Sequence, residues 1–438
     1  MKKKIIYLSI ILVLVISLIT LSSIYKSKDN KYKKEYNTIS KGMAIMIKEE
    51  GATDYVQSNS KDIPKGNYVL NEEKTHCENN GKVTNYNSSS GTISINFIGS
   101  DKCYLYFDYK TVYGYETILL NNSNGANTLE GAKSYIKGKG TPDFTSIATT
   151  NEGIYAAEDD LGTSYYFRGA VDNNWVKFGK NGFDKDIYWR IIRINGDNSI
   201  RMIYTGTTAP TSSTSVVMTG TDTQINTSAF SGETSTYSEY VGYMYTDSVQ
   251  HGLTKNSLIK SHIDDWFKNS SLFTDASTKA LLADGIFCND RNVTSGSWAR
   301  SGNFSYDGYR VYSNSKDSIL KCSNKLDRFT VDSSNGNGAL TYPVGTITGD
   351  EMVYAGMTSN SSNLNSYLYT NEEYWTITPG SMSGLQGFQI FNVFVRPTGQ
   401  LYFTNIQNYS SGIRPVINLS SSVKLSGDGT YNNVYTVS

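Results

Sequence analysis

A chain of 438 residues exceeds one ordinary domain and points to two or three folding units. Forty basic side chains balance 40 acidic ones, so no net field favours nucleic acid or a strongly anionic partner. Thirty-four tyrosines and 38 glycines beside seven prolines point to strands and turns, with Tyr serving as strand former or as contact residue.

The tract from Ile5 to Tyr25 holds no charged residue and is long enough to cross a bilayer core of about 30 Å. Lys2, Lys3 and Lys4 ahead of it favour an inside N-terminus; Lys26, Lys28, Lys31, Lys33 and Lys34 beyond it weigh the other way. Residues 1–25 are expected to form a membrane anchor, a transmembrane helix, with a secretory signal cleaved near Thr20-Leu21-Ser22 as the alternative. Either way the bulk of the chain is exported, as expected of a single-pass protein of the cell membrane with an extracellular body. Four cysteines fall in two neighbourhoods, Cys77 with Cys103 and Cys288 with Cys322, without the spacing of a zinc or redox site. In an exported chain they read as two local disulfides, with four reduced buried thiols as the alternative.

Residues 26–50 read as a helical stalk, because Tyr36, Ile39, Met43 and Met46 recur at helical spacing and Gly51 follows. Residues 51–122 read as a small disulfide β module. Ile93, Ile95 and Phe97 alternate with polar residues, as do Cys103, Leu105 and Phe107 beyond Gly99-Ser100-Asp101, which predicts a hairpin. An Asn-, Gly- and Thr-rich linker, 123–150, contains a short helical piece near 129–136. From 151 to 438 strands dominate: DIYWRIIRI and SIRMIY flank a turn at 195–198, and EYWTIT, FQIFNVFV, QLYFTN and GIRPVINL follow later. Helices are predicted over 257–268 and from Thr348, where Glu351 completes a capping box and Gly356 terminates. Strands at both ends with helices between them give an α+β domain.

The set YWRIIRINGDNSIRMIY (188–204), FCNDR (287–291), ITGDEMVYAG (347–356), YWTITPG (374–380) and GIRPVINL (412–419) resembles a family of uncharacterised bacterial surface domains. KCYLYFDY (102–109) resembles the disulfide-bearing strand of a module that often precedes them. The resemblance covers roughly 150–438 and implies a surface location and a C-type-lectin-like α+β layout, similar to the formylglycine-generating enzymes. It implies no activity. The copper-binding cysteine pair of those enzymes has no counterpart, since Cys288 and Cys322 are separated by a loop-like stretch. The calcium-dependent lectins' Glu-Pro-Asn or Gln-Pro-Asp loop and Trp-Asn-Asp strand do not occur, so calcium-mediated sugar binding is not carried over.

No catalytic constellation, metal set or cofactor motif stands out. His76, His251 and His262 fall in different elements, His262 as a packed side chain, and Cys77 beside His76 fits a disulfide better than a metal or thiolate site. The runs Glu158-Asp159-Asp160 and Asp264-Asp265 read as solvated charges, because neighbouring side chains point apart and glycosidases need two carboxylates facing across a cleft. Residues 426–430 read as a turn, and Arg414, in an apolar strand, as a structural charge bonded to loop carbonyls or an acid. The expected role is non-catalytic surface recognition or adhesion towards a glycan, protein or cell-wall ligand, with no nucleic acid partner. The loops 206–235, 292–316 and 380–387 make the contacts, with Tyr243, Trp298, Tyr309 and Tyr312 foremost. Two alternatives stand: a cell-wall-active or degenerate formylglycine-generating-like enzyme, and a structural surface-layer or pilus-like subunit.

Overall fold

The computed structural model describes residues 33–36, 38–39, 42–88, 90–96, 101–383 and 389–438. The chain divides into two compact units, 1–112 and 113–438.

In the first unit, the strand Met43–Lys48 runs parallel to Cys103–Tyr109. Val56–Gln57 adds to the former, and Tyr68–Leu70 and His76–Cys77 add antiparallel to the latter. A second sheet joins Lys33–Tyr36, Thr92–Asn96 and Lys82–Asn87. The core holds Tyr36, Ile45, Ile63, Ile93, Ile95, Leu105 and Phe107. These pairings correct two expectations. Where the stalk helix was expected over 26–50, the described residues form the strands Lys33–Tyr36 and Met43–Lys48, since Ile45 and Ile47 are β-branched and a partner strand pairs with each segment. The hairpin between 92–97 and 103–107 does not form either. Both strands bury the apolar faces that alternation assigns them, but in different sheets.

The second unit begins with two helices, Gly114–Asn121 and Leu129–Gly138. They bury Ile118, Leu119, Ala132 and Ile136 within the core, in a stretch read from sequence partly as linker. A ten-stranded sheet follows, built on the hairpin of Asp186–Ile194 with Ile200–Gly206. Its turn places Asn198 at φ +68°, the left-handed region that Asn tolerates. Pro415–Leu419 pairs with Ile200–Gly206, and Tyr435–Val437 runs parallel to Trp175–Lys180. A six-stranded sheet centres on Tyr374–Ser383, Gln389–Val395 and Leu401–Asn405. The helices Leu258–Lys268 and Gly349–Tyr354 lie where the sequence places them, the second with its Thr348–Glu351 capping box. Arg414 is sealed from solvent and donates to the carbonyls of Tyr204 and Leu368 at 3.0–3.1 Å, as a structural charge.

The α+β, C-type-lectin-like layout is nonetheless overturned: the protein is mostly strands, and only 17% of it is helical. The segments between the long strands resolve into short strands, 3-10 turns and a few short helices, and the two sheets provide the framework. Among the described residues no helix is long and apolar enough to cross a membrane, and the anchor expected over 1–25 lies outside them. Cys77 is bonded to Cys103 and Cys288 to Cys322, closing 26- and 34-residue separations. Each is worth about 3.5 kcal/mol by loop-closure entropy. The bonds fit an extracellular or otherwise oxidising environment.

Candidate functional site

A cluster of paired charges in the larger unit forms where the ends of several elements meet. Arg193 and Arg201 come from the central hairpin, and Asp350 and Glu351 from the first turn of Gly349–Tyr354. Asp159 and Asp160 end the strand Asn151–Asp159, Asp290 follows Phe287–Cys288, and Arg310 opens a short helix. Glu351 Oε1 lies 3.0 Å from Arg193 Nε and 2.5 Å from Arg201 Nε. Arg193 Nη1 also reaches Asp159 at 2.7 Å. Arg310 grips Asp350 through two bonds of 2.9 Å and Asp290 through one of 2.6 Å. Arg328 pairs with Asp160 at 3.0 Å.

Burial pushes Asp290 up to about 6, against the pull of Arg310 and with help from Asp350 and Asp307. Its backbone sits at φ +32°, a conformation costing about 1–3 kcal/mol that its buried ion pair helps to hold. Burial also raises Asp350 and Asp160, whereas Arg201 and Arg193 overcome burial and hold Glu351 below its ordinary value. The cavity enclosed by these groups, Cys288, Ile319 and Leu320 measures about 30 Å³, room for a water or two. Such a site can store a proton and order water. It admits no substrate in this state, and each of these five carboxylates is bound to a guanidinium. Glu158, Asp159 and Asp160 were read as solvated; Glu158 is exposed, but Asp159 is buried and Asp160 half-buried, because the strand end turns them onto Arg193 and Arg328. Asp264 pairs with Lys260 at 2.5 Å while Asp265 is exposed.

His251 Nδ1 lies 3.1 Å from both oxygens of the buried Asp327, a His–acid pair of the kind hydrolases use. Its Nε2 is taken by Asn324 at 3.2 Å, and Asp327 also receives the Nε and backbone N–H of Arg291. Both ring nitrogens are engaged, so the pair braces a loop and has no free base to offer. His76 stacks on Tyr104 in the small unit, and His262 is half-buried beside Asn226. Cys77, Asp101 and Cys103 lie close enough to hold a metal, but both sulfurs are spent in the disulfide. The Asp101 carboxylate receives the N–H groups of Asn79, Asn80, Gly81 and Lys102. Residues 426–430 form a turn in which Asp428 accepts from Thr430 twice.

Of the four aromatic residues singled out by sequence, two come together. Tyr309 and Tyr312 lie 5.3 Å apart by ring centroid, and the strand Leu401–Asn405 adds Tyr402 and Phe403. Tyr312 meets Phe403 at 4.8 Å and Tyr402 at 5.8 Å, and Arg396 lies 3.4 Å over Tyr402. All four rings are half-buried, giving one aromatic patch. Trp298 is half-buried on the core elsewhere. Tyr243 requires correction: it is 0% exposed, packed edge-on to Phe329, and cannot touch a ligand. The short stretch 243–245 turns it inward to fill the core beside Lys260. Of the expected contact loops, 384–387 lie outside the described residues.

Sequence reasoning missed Asp290, Arg310 and Asp350 as a cluster. FCNDR and ITGDEMVYAG contain two of them, and only the fold brings those strings to Arg310. No family model, curated protein or solved structure matches this chain.

Proposed function

We propose that this protein works outside the cytoplasm as a non-catalytic recognition protein, whose larger unit contacts its ligand through Tyr309, Tyr312, Tyr402 and Phe403. The aromatic patch carries this reading: four half-exposed rings offer wide, stiff contact area at low entropic cost, suited to the flat carbon-bound face of a sugar ring in a surface glycan or wall polymer. Support for the location comes from the two disulfides and the uncharged tract Ile5–Tyr25, which suits export or attachment to a membrane. The resemblance of 188–204, 347–356 and 412–419 to bacterial surface domains points the same way. The engaged carboxylates and the engaged His251 weigh against the enzymatic alternative.

The test is retention of the purified protein on insoluble cell-wall glycan, with Tyr312→Ala and Phe403→Ala beside the parent. Retention lost in both variants at unchanged thermal stability supports the reading. Retention that survives both sinks it, as does release of soluble sugar by the parent.

A further inference from the structure

The smaller unit carries a cleft that the recognition surface above does not use. It opens between the turn after Met43–Lys48 and the end of Cys103–Tyr109, has a volume of about 650 Å³, and lies wholly within residues 48–109. That volume is within the range of sites that hold small organic ligands, about 300–1,000 Å³.

Its floor is built. Tyr55 donates its hydroxyl to Asp108 Oδ1 at 2.5 Å, Asn71 Nδ2 donates to Asp108 Oδ2 at 2.8 Å, and the same amide lies 3.0 Å from the Tyr55 oxygen. Asn71 Oδ1 is fixed in turn by the Lys74 N–H at 3.0 Å. The three groups therefore have one arrangement and need little ordering when a ligand arrives. Two tyrosine rings line the walls: Tyr55, braced edge-on by Tyr106 at 5.0 Å, and Tyr109, braced by Tyr68 at 5.5 Å. Lys74 lies 5.3 Å over Tyr55, and Lys48 reaches the same space. Burial favours the neutral form of Asp108, but Tyr55, Asn71, Lys48 and Lys74 outweigh it and keep the carboxylate ionised.

We propose that this cleft binds a neutral saccharide of one to a few rings. A ligand here meets the remaining lone pairs of an ionised acceptor held in place by the amide and the phenol, together with ammonium donors and two aromatic walls, which match adjacent hydroxyls on a ring with an apolar face. A phosphate or sulfate is disfavoured, because Glu49, Asp54 and Asp108 outnumber Lys48 and Lys74 around the cleft. An apolar peptide finds a mostly polar lining. The site stands apart from the aromatic patch of the larger unit in both residues and chemistry, so either can fail alone.

The test titrates the full chain with maltotriose, mannotriose and tri-N-acetylchitotriose by calorimetry, at up to millimolar concentration. Binding of at least one sugar is expected, with Asp108→Asn weakening it roughly tenfold or more, as loss of a hydrogen bond to a charged group does. Lys74 is exposed and outside the core, so Lys74→Ala tests the site without threatening the fold and is expected to weaken binding several-fold. Tyr312→Ala, in the larger unit, is expected to leave this affinity unchanged. No heat with any of the three sugars overturns the proposal, as does an affinity indifferent to both Asp108→Asn and Lys74→Ala.

Discussion

Arg193 and Arg201 are direct cross-strand partners on the central hairpin, two guanidinium groups facing each other in a buried sheet. Like charges so placed repel, and burial sharpens the repulsion. Glu351 offsets it: Oε1 accepts from Arg193 Nε and pairs in charge with Arg201, while Oε2 receives Arg201 Nη2 at 3.3 Å and the Thr348 N–H at 3.0 Å. One carboxylate thus ties the hairpin to the short helix and caps that helix.

Glu351→Gln removes the charge and keeps a side chain able to cap. It leaves the buried Arg201 without a carboxylate and Arg193 with Asp159 alone, and the expected loss is about 3–5 kcal/mol. Urea unfolding measures it; a loss below about 1 kcal/mol means the arginines find other partners.

Asp290 and Glu351 set opposite pH limits. Asp290 is raised in the folded protein to about 6, so its contribution is complete below its ordinary value of 3.8 and is lost as pH rises through about 6. Glu351 is lowered, so its contribution is present above its ordinary range and is lost as pH falls through the lowered value. Stability is therefore expected to peak on the acidic side of neutrality. Asp290→Asn should flatten the decline between about pH 4 and 7, which amounts to about 2–3 kcal/mol. An Asp290 carboxyl that titrates near 4 by carbon-detected NMR refutes this assignment.

Alkylation followed by mass spectrometry is expected to find all four sulfurs protected until a reductant is added. Cys288→Ser with Cys322→Ser should cost about 3.5 kcal/mol. It should also loosen the cover of the ionic cavity, since the Cys322 N–H holds Asp160 at 2.8 Å. Free thiols in the protein isolated from its native compartment contradict the oxidising location.

Tyr243 and Tyr309 should part company on mutation. Tyr243→Ala opens a hole in the core and is expected to cost about 3–5 kcal/mol. Tyr309→Ala, at a half-exposed site, should cost about 1 kcal/mol and act on ligand retention instead. Thermal unfolding of both variants separates the two roles, and equal losses remove Tyr309 from the contact surface.

Much of the local structure was legible in the residues. Alternation marked the strands Asp186–Ile194 and Ile200–Gly206, though the fold buries both their faces, and the buried face of Cys103–Tyr109; the Thr348–Glu351 pair marked a helix start, and the cysteine neighbourhoods marked both disulfides. These signals act within a few residues or along one face, so composition and spacing carry them. Partner choice was not legible. Met43–Lys48 satisfies helical and extended spacing alike, and pairing with Cys103–Tyr109 decided for the strand. Thr92–Asn96 kept its face and changed its neighbour. Asp159, Asp290, Arg310 and Glu351 stand scattered over nearly 200 positions, and each alone resembles an ordinary surface charge. Only the packed sheets bring them within 3 Å of opposite charges and remove the water that would otherwise have screened them.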